Sequence, residues 1–313
     1  MGKIKDSIII AKHKLFSPKI VNRHIKVEAS AECNARCDWC WMIKAERKPR
    51  GLMQLSDFRH FVDLNRLYFR SQKAGIMPFF NGESLLHPQF FEFLDYIVIN
   101  KVRLMDLDTN LGIYIDMARL MNYPFEFIRV NIGGITKETH EQTMKTNFNL
   151  VSENLKALFQ INPKKVIVKM QVNRKNFHQI KQVPDFIKGL GGLTKNIIIN
   201  PISFPMPMVA SDKEIKDFFD ENVSEEVADY LRFSYNSASP KYGIRAKEPG
   251  CHYLTNCVTF DGKLTVCCQD QLGLFDLGNA FKNPLIKLFS SDKYKKTMLK
   301  ARNMELNICK ECN

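Results

Sequence analysis

No stretch of this 313-residue chain is apolar for long enough to cross a membrane. The longest strand-like apolar runs, Ile8-Ile-Ile-Ala11 and Ile197-Ile-Ile199, fall far below the roughly 20 residues of a spanning helix. Ile8 to Ala11 is also too short for the core of a secretory signal. Nowhere are basic residues interleaved with several aromatics, as a surface that stacks nucleotides requires. The formal charge of +13 comes from 46 basic and 33 acidic residues. Its lysines are spread over the N-terminal arm, Lys44 to Arg50, and Lys282 to Lys310, which reads as a solvated surface. A cytoplasmic protein with no membrane and no nucleic-acid partner is expected. A hydrophobic fraction of 45% with 25% charged residues allows one large domain and a small one, with ample core.

Cysteine, by contrast, is plentiful and grouped. Nine are present: Cys33, Cys37 and Cys40, then Cys251, Cys257, Cys267, Cys268, Cys309 and Cys312. An odd count containing C-x-x-C pairs suits metal ligation in a reducing compartment better than a disulfide framework. The first group, Cys33-Asn-Ala-Arg-Cys37-Asp-Trp-Cys40, follows an alternating run, Ile25-Lys-Val-Glu-Ala29, that reads as a strand with Ile25, Val27 and Ala29 on one face. Three thiolates from one loop can hold three corners of a 4Fe-4S cluster and leave the fourth iron open to a non-protein ligand. Competing readings are a zinc site short of one ligand, or cysteines packed as small apolar groups.

The C-x-x-x-C-x-x-C spacing, with Trp39 before the third cysteine, resembles the radical S-adenosylmethionine (radical SAM) superfamily. The resemblance runs from about Ile25 to Asn200. It implies that the open iron binds S-adenosylmethionine, whose reductive cleavage gives a 5′-deoxyadenosyl radical that abstracts hydrogen from substrate. A reducing partner such as flavodoxin or ferredoxin is implied with it. Asn81-Gly-Glu-Ser84 stands where the family carries Gly-Gly-Glu-Pro, so Gly82 and Glu83 are the expected contacts to the cofactor's amino group. Asn131-Ile-Gly-Gly134 stands in place of Ser-Ile-Asp-Gly, which makes Asn131 the expected ribose contact and adds it to Trp39, Gly82 and Glu83 as cofactor-binding. Asn110 resembles the family's Thr-Asn-Gly turn and is expected to be structural.

From Ile25 onward strands alternate with helices, the pattern of parallel βα units. Expected strands are Ile25 to Ala29, Ile76 to Phe80, Leu104 to Thr109, Phe127 to Ile132, Val166 to Val172 and Asn196 to Asn200. Ser56 is the expected N-cap of a helix burying Phe58, Phe61, Val62 and Leu67. Pro88 is expected to open one carrying Phe90, Phe91, Leu94 and Ile97. Pattern alone leaves a partial barrel and a doubly wound sheet open; the resemblance selects an α/β fold, a partial (β/α)6 radical SAM barrel. Glu28, Arg129, Lys169 and Gln171, with Asn131, alternate with apolar residues and are expected to line an open chamber, Arg129 and Lys169 taking an anionic or hydroxylated substrate.

The expected organisation is an N-terminal arm (1–23), the barrel (24–200), a connecting segment (201–250) and a C-terminal iron–sulfur domain (251–313). In the last, Asp261-Gly262 signals a type I′ hairpin with Phe260 opposite Lys263 and Cys257 opposite Val266. Cys257 and Cys268 would then share one face and Cys267 the other. The region resembles the SPASM/twitch domain, down to the Gly278-Asn279 pair after the hairpin. That implies one auxiliary 4Fe-4S cluster on Cys251, Cys267, Cys309 and Cys312, with Cys257, Cys268, Cys309 and Cys312 as the alternative set and a structural zinc ribbon as the competing reading. No cysteine follows Cys312 for a second auxiliary cluster, and no peptide-recognition domain precedes Ile25. Both absences favour a compact substrate. The expected function is therefore oxidation of a small polar metabolite, sugar or aminocyclitol-like, with the auxiliary cluster accepting the electron. A peptide-modifying maturase and a zinc-ribbon nucleic-acid binder are the alternatives.

Overall fold

The computed structural model describes residues 24–40, 50–173, 175–201, 254–267, 270, 273 and 275–311. Its contacts divide the chain into two units. The first comprises Met1–Glu32, Lys48–Met105 and Gly250–Ile308 and is built on a five-stranded sheet of order β3-β2-β1-β8-β9. Here β1 (Ile25–Val27), β2 (Gly75–Met77) and β3 (Arg103–Leu104) are parallel, as short buried strands separated by helices must be. The C-terminal hairpin, β8 (Leu254–Val258) and β9 (Leu264–Cys267), joins the same sheet, because β8 runs parallel beside β1.

Helices α1 (Leu55–Leu64), α2 (Arg66–Gln72) and α3 (Phe90–Ile99) cover this sheet. Phe58, Phe61 and Val62 are fully buried as their spacing dictates, and Phe58 stacks on Phe93 at 4.4 Å. Two details depart from expectation. The cap of α1 is Gln54, with no side-chain bond, rather than Ser56. Leu67 is only half-buried while Tyr68 and Phe69 are buried. The cause is a break at Asn65, whose buried amide donates to Phe61 O (2.8 Å) and accepts from Leu285 N (2.6 Å). A break resets the helical phase, so the residues after it bury a different set. In α3 the buried set is Phe90, Phe93, Leu94 and Ile97, with Phe91 half-buried, and Pro88 lies one residue ahead of the Gln89 cap. Farther on, α8 (Leu285–Ser290) and α9 (Asp292–Arg302) bring Tyr294 into the core, where its hydroxyl donates to Asn256 Oδ1 at 2.8 Å.

The hairpin turn also differs. Val258 pairs with Leu264 and Cys257 with Thr265, one register step from the expected pairing. Three residues, Phe260 to Gly262, form the loop rather than two. Gly262 takes φ +83°, and the loop is closed by Thr259 N donating to Lys263 O (3.0 Å) and Lys263 N donating to Thr259 Oγ1 (3.0 Å). This is a turn followed by a left-handed glycine bulge, the usual three-residue solution. Gly278-Asn279 packs against it: Asn279 Nδ2 donates to Asp261 O (2.9 Å) and Ala280 N to Gly262 O (2.7 Å).

The second unit comprises Cys33–Arg47, Asp106–Pro249 and Cys309–Asn313. Its four parallel strands are β4 (Leu107–Thr109), β5 (Ile128–Ile132), β6 (Val166–Val172) and β7 (Ile197–Pro201), in that order. Strand β6 has the bounds expected of it. The expected strand Leu104 to Thr109 is instead broken: β3 and β4 belong to different sheets. Among the described residues, four helices accompany the strands: α4 (Met117–Asn122), α5 (Lys137–Met144), α6 (Phe148–Ile161) and α7 (Val183–Gly189). Asp116, Thr136 and Asn147 cap the first three by accepting from the backbone N–H three residues on, each cap contributing about 1 kcal/mol. One face of β5 and β6 is wholly buried; the other, bearing Arg129, Asn131, Lys169 and Gln171, is half-buried. A parallel sheet ordinarily buries both faces in apolar contact, so the polar face is the feature that needs a function.

Candidate functional site

The cysteine loop is fixed to the second unit by its own backbone. Arg36 N donates to Met144 O (2.9 Å) and Asp38 N to Thr143 O (3.0 Å), both at the C-terminal end of α5. Lys175 Nζ holds Asp38 Oδ2 at 2.9 Å. Asn34 Nδ2 donates to Gly112 O (2.6 Å), just beyond the end of β4. The thiols of Cys33, Cys37 and Cys40 are half-buried, and Trp39 is half-buried in the same turn. Burial, then the charges of Cys40 and Cys33, push the Cys37 thiol well up. Mutual perturbation of that kind requires three thiols held close together. Yet no three Cys, His, Asp or Glu side chains among the described residues converge on one ion. Three thiols on one short loop suit a 4Fe-4S cube, which takes one thiolate at each of three separate irons.

The polar face of the second sheet is organised by two aspartates that are not among the expected chamber residues. Asp108 Oδ2 is paired with Lys169 Nζ at 2.9 Å, and its Oδ1 accepts from the Asn131 amide. Burial opposes ionisation of Asp108, but Lys169, Asn131 and Arg129 outweigh it and hold the carboxyl below its usual range. Asp106 is paired with Arg129, yet burial prevails and its carboxyl is pushed up. Among the described residues its Oδ1 is buried without a hydrogen-bond partner. Arg129 and Lys169 therefore do not stand as open cations. Asp106, Asp108 and Asn110 recur every second residue along β4 and its two flanking positions, which is the signal for placing them on this face. Gln171, at the far end of β6, is half-buried.

The turn after β5 rests on a buried polar network. Gly133 N donates to His140 Nδ1 (3.3 Å), so His140 carries its proton on Nε2, toward Thr146 Oγ1 at 2.8 Å. Asn176 Nδ2 donates to Gly133 O (2.8 Å), and Ile135 N to Gln179 Oε1 (2.9 Å). Burial lowers the His140 pKa to about 4, so the ring is neutral at physiological pH.

In the first unit, Gly82 and Glu83 follow β2 in a turn laid on residues Ser30 to Glu32. Glu83 N donates to Glu32 O at 2.8 Å. A Cβ on Gly82 would lie 2.2 Å from Ser30 O and 2.5 Å from Glu32 O, so only glycine permits this approach. Glu32 is the residue that precedes Cys33 in the chain. The Glu83 carboxylate caps the short turn Ser84–Leu86 by accepting from Leu85 N (3.2 Å). Glu28 departs from the expectation of a chamber-lining side chain. It is fully buried, accepting from Asn81 Nδ2 (2.9 Å) and Phe260 N (3.1 Å). It thus braces the Asn81-Gly82-Glu83 turn and the C-terminal hairpin against β1.

Of the C-terminal cysteines, Cys251, Cys268 and Cys312 lie outside the described residues. The observed register sets Cys257 opposite Thr265, two residues from Cys267 on the same strand. The expected separation of Cys257 from Cys267 onto opposite faces is therefore corrected by the extra loop residue. Burial pushes the Cys257 thiol up to about 12.

Residues 251–313 match the SPASM family, an iron–sulfur cluster-binding domain. No curated protein matches the chain. Among solved structures, SuiB of Streptococcus suis bound to its precursor peptide SuiA superposes with a TM-score of 0.66 at 13% identity, over 93% of this chain and 70% of SuiB. The enzyme anSMEcpe with bound AdoMet gives 0.65 at 16% identity, over 90% and 83% of the two chains. BtrN in complex with AdoMet and 2-DOIA gives 0.55 at 16% identity, over 93% and 92%. At these identities the likeness establishes the fold, which is that of radical SAM enzymes.

Proposed function

We propose, from the radical SAM fold and its SPASM segment, that this chain is a radical SAM enzyme that oxidises a small polar metabolite, sugar or aminocyclitol-like. Cys33, Cys37 and Cys40 would hold a 4Fe-4S cluster with one iron open to S-adenosylmethionine; Cys251, Cys267, Cys309 and Cys312 would hold an auxiliary cluster. When bound, these groups supply a hydrogen-abstracting 5′-deoxyadenosyl radical and a one-electron acceptor. The observation that carries the reading is the cysteine loop, whose three thiols lie on one turn anchored to Gly112 and to the C-terminal end of α5.

The chain's own residues set what can bind. Gly82 and Glu83 supply the close backbone turn expected to meet the cofactor's amino group, and Asn131 and Trp39 are its further contacts. On the polar face each cation is matched by an aspartate, Lys169 by Asp108 and Arg129 by Asp106. A face without surplus charge suits a substrate recognised by hydrogen bonds rather than an anion. Asp106 Oδ1, without a partner among the described residues, offers an acceptor to a hydroxyl or amine. BtrN, which carries 2-DOIA, matches this chain along nearly the whole of both lengths. A peptide side chain is the second reading, supported by the higher TM-score with the SuiB–peptide complex.

Anaerobic incubation with S-adenosylmethionine, a reductant and panels of polyols, amino sugars and peptides separates them. The proposal expects 5′-deoxyadenosine to rise with a polyol or amino sugar and an oxidised product to accompany it. A rise with peptides alone would overturn the substrate class.

A further inference from the structure

Asn110 has its two kinds of polar atom fully committed, and the commitments fix which way its amide points. Oδ1 accepts from Gly112 N at 2.8 Å. Nδ2 donates to Asn34 Oδ1 at 2.9 Å and to Cys33 Sγ at 3.7 Å. Asn34 is oriented in turn by its own Nδ2, which donates to Gly112 O at 2.6 Å. Reversing the Asn110 amide would set its oxygen against the side-chain oxygen Asn34 Oδ1 and against the sulfur, leaving Gly112 N–H facing an N–H. The ring of bonds Gly112–Asn110–Asn34–Gly112 is therefore closed in one sense only, and its one outward N–H points at sulfur. Gly112 has no room to be otherwise, since a Cβ there would meet Asn110 Oδ1 at 3.0 Å and Thr146 Cβ at 3.0 Å. Asn110 is 6% exposed, so water competes weakly for that donor.

We infer that Asn110 is a positioning and tuning residue for Cys33: its N–H···S bond stabilises the added negative charge of the reduced cluster and raises that cluster's reduction potential. The inference rests on the proposed ligation of a 4Fe-4S cluster by Cys33, Cys37 and Cys40. Hydrogen bonds to ligand sulfurs are among the protein's main means of setting such potentials, because reduction adds charge that the donor meets. A residue that merely shaped the turn would lack this effect.

The test is a potentiometric titration of the full-length, cluster-loaded protein, followed by the EPR signal that changes on addition of S-adenosylmethionine. Asn110→Asp keeps the acceptor for Gly112 N–H and the side-chain shape but replaces the N–H donor by a carboxylate. It is expected to lower the reduced-to-oxidised ratio about tenfold at a fixed potential, a shift of about 59 mV for one electron. Asn34→Ala loosens the same turn but leaves the donor on sulfur, and its potential is expected to stay at the wild-type value. Equal shifts in both variants would show loosening rather than an N–H···S effect and overturn the inference. So would no shift in either, or loss of the cluster from Asn110→Asp, which would make the residue one of assembly. A wild-type protein with no signal responsive to S-adenosylmethionine would instead defeat the proposed cluster ligation itself.

Discussion

Lys169→Met tests the polar face most sharply, because it removes one partner of an ion pair and leaves the other in place. Asp108 Oδ2 and Lys169 Nζ are 2.9 Å apart with 16% and 18% of their side chains exposed. Breaking a fully buried pair costs about 3–5 kcal/mol, so this pair, with some solvent access, should cost roughly 2–3 kcal/mol. The pH dependence carries the signature. In the wild type the folded-state pKa of Asp108 lies below its ordinary value. That residue therefore contributes stability above the unfolded pKa, lost as pH falls through the lower folded value. Without Lys169, burial is the largest influence left and pushes the carboxyl up. The variant's deficit is then greatest near pH 7 and shrinks as the pH falls through the raised pKa of Asp108. Urea unfolding midpoints at pH 7, 6 and 5 read this directly. Lys169→Met combined with Asp108→Asn should recover more than half of the loss at pH 7. A deficit independent of pH, or no deficit, would mean that Asp108 is not held by Lys169.

Three further outcomes are expected. Gly82→Ala drives a methyl into Ser30 O at 2.2 Å; it should leave the melting curve of the second unit's helices readable by hydrogen exchange while abolishing 5′-deoxyadenosine formation. His140, with its pKa lowered to about 4, is neutral when folded. Its contribution is complete above about pH 6.5 and erodes below it, by about 2 kcal/mol at pH 5, and a chemical denaturation series of wild type against His140→Asn checks the difference. Gly262→Ala places a side chain at φ +83° and 2.6 Å from the Phe281 ring. It should lower stability by roughly 1–3 kcal/mol, measured as a shift in the denaturant midpoint.

Much of this architecture was legible because it rests on short-range pattern. Strand β6, Val166 to Val172, alternates without interruption, and its bounds were read directly. The cysteine spacing is equally local. What was missed depends on partners far apart in sequence. The break at Asn65 answers to Leu285, 220 residues on, and nothing near Asn65 announces it. Leu104 to Thr109 looks like one strand, but Met105 N bonds Ile76 O while Leu107 N bonds Phe127 O, so its two ends serve different sheets. Glu28 was read from alternation as a polar face, yet its alternation sits in a strand flanked on both sides, and it is buried against Asn81 and the Phe260 turn. Arg129 and Lys169 were read as cations awaiting a ligand because Asp106 and Asp108 were left out of the same two-residue periodicity. The hairpin register failed by one step, since Asp-Gly serves a two-residue turn and a bulged three-residue turn alike.

The most direct test of radical SAM chemistry in this chain compares the anaerobically reconstituted protein with its Cys33→Ala, Cys37→Ala, Cys40→Ala variant. The wild type should hold about eight irons in two 4Fe-4S clusters, show an EPR signal altered by S-adenosylmethionine, and release 5′-deoxyadenosine under reductant. The variant should lose about half of the iron, the altered signal and the 5′-deoxyadenosine together, while folding as before. A variant that keeps its full iron content, or still cleaves the cofactor, would contradict the assignment.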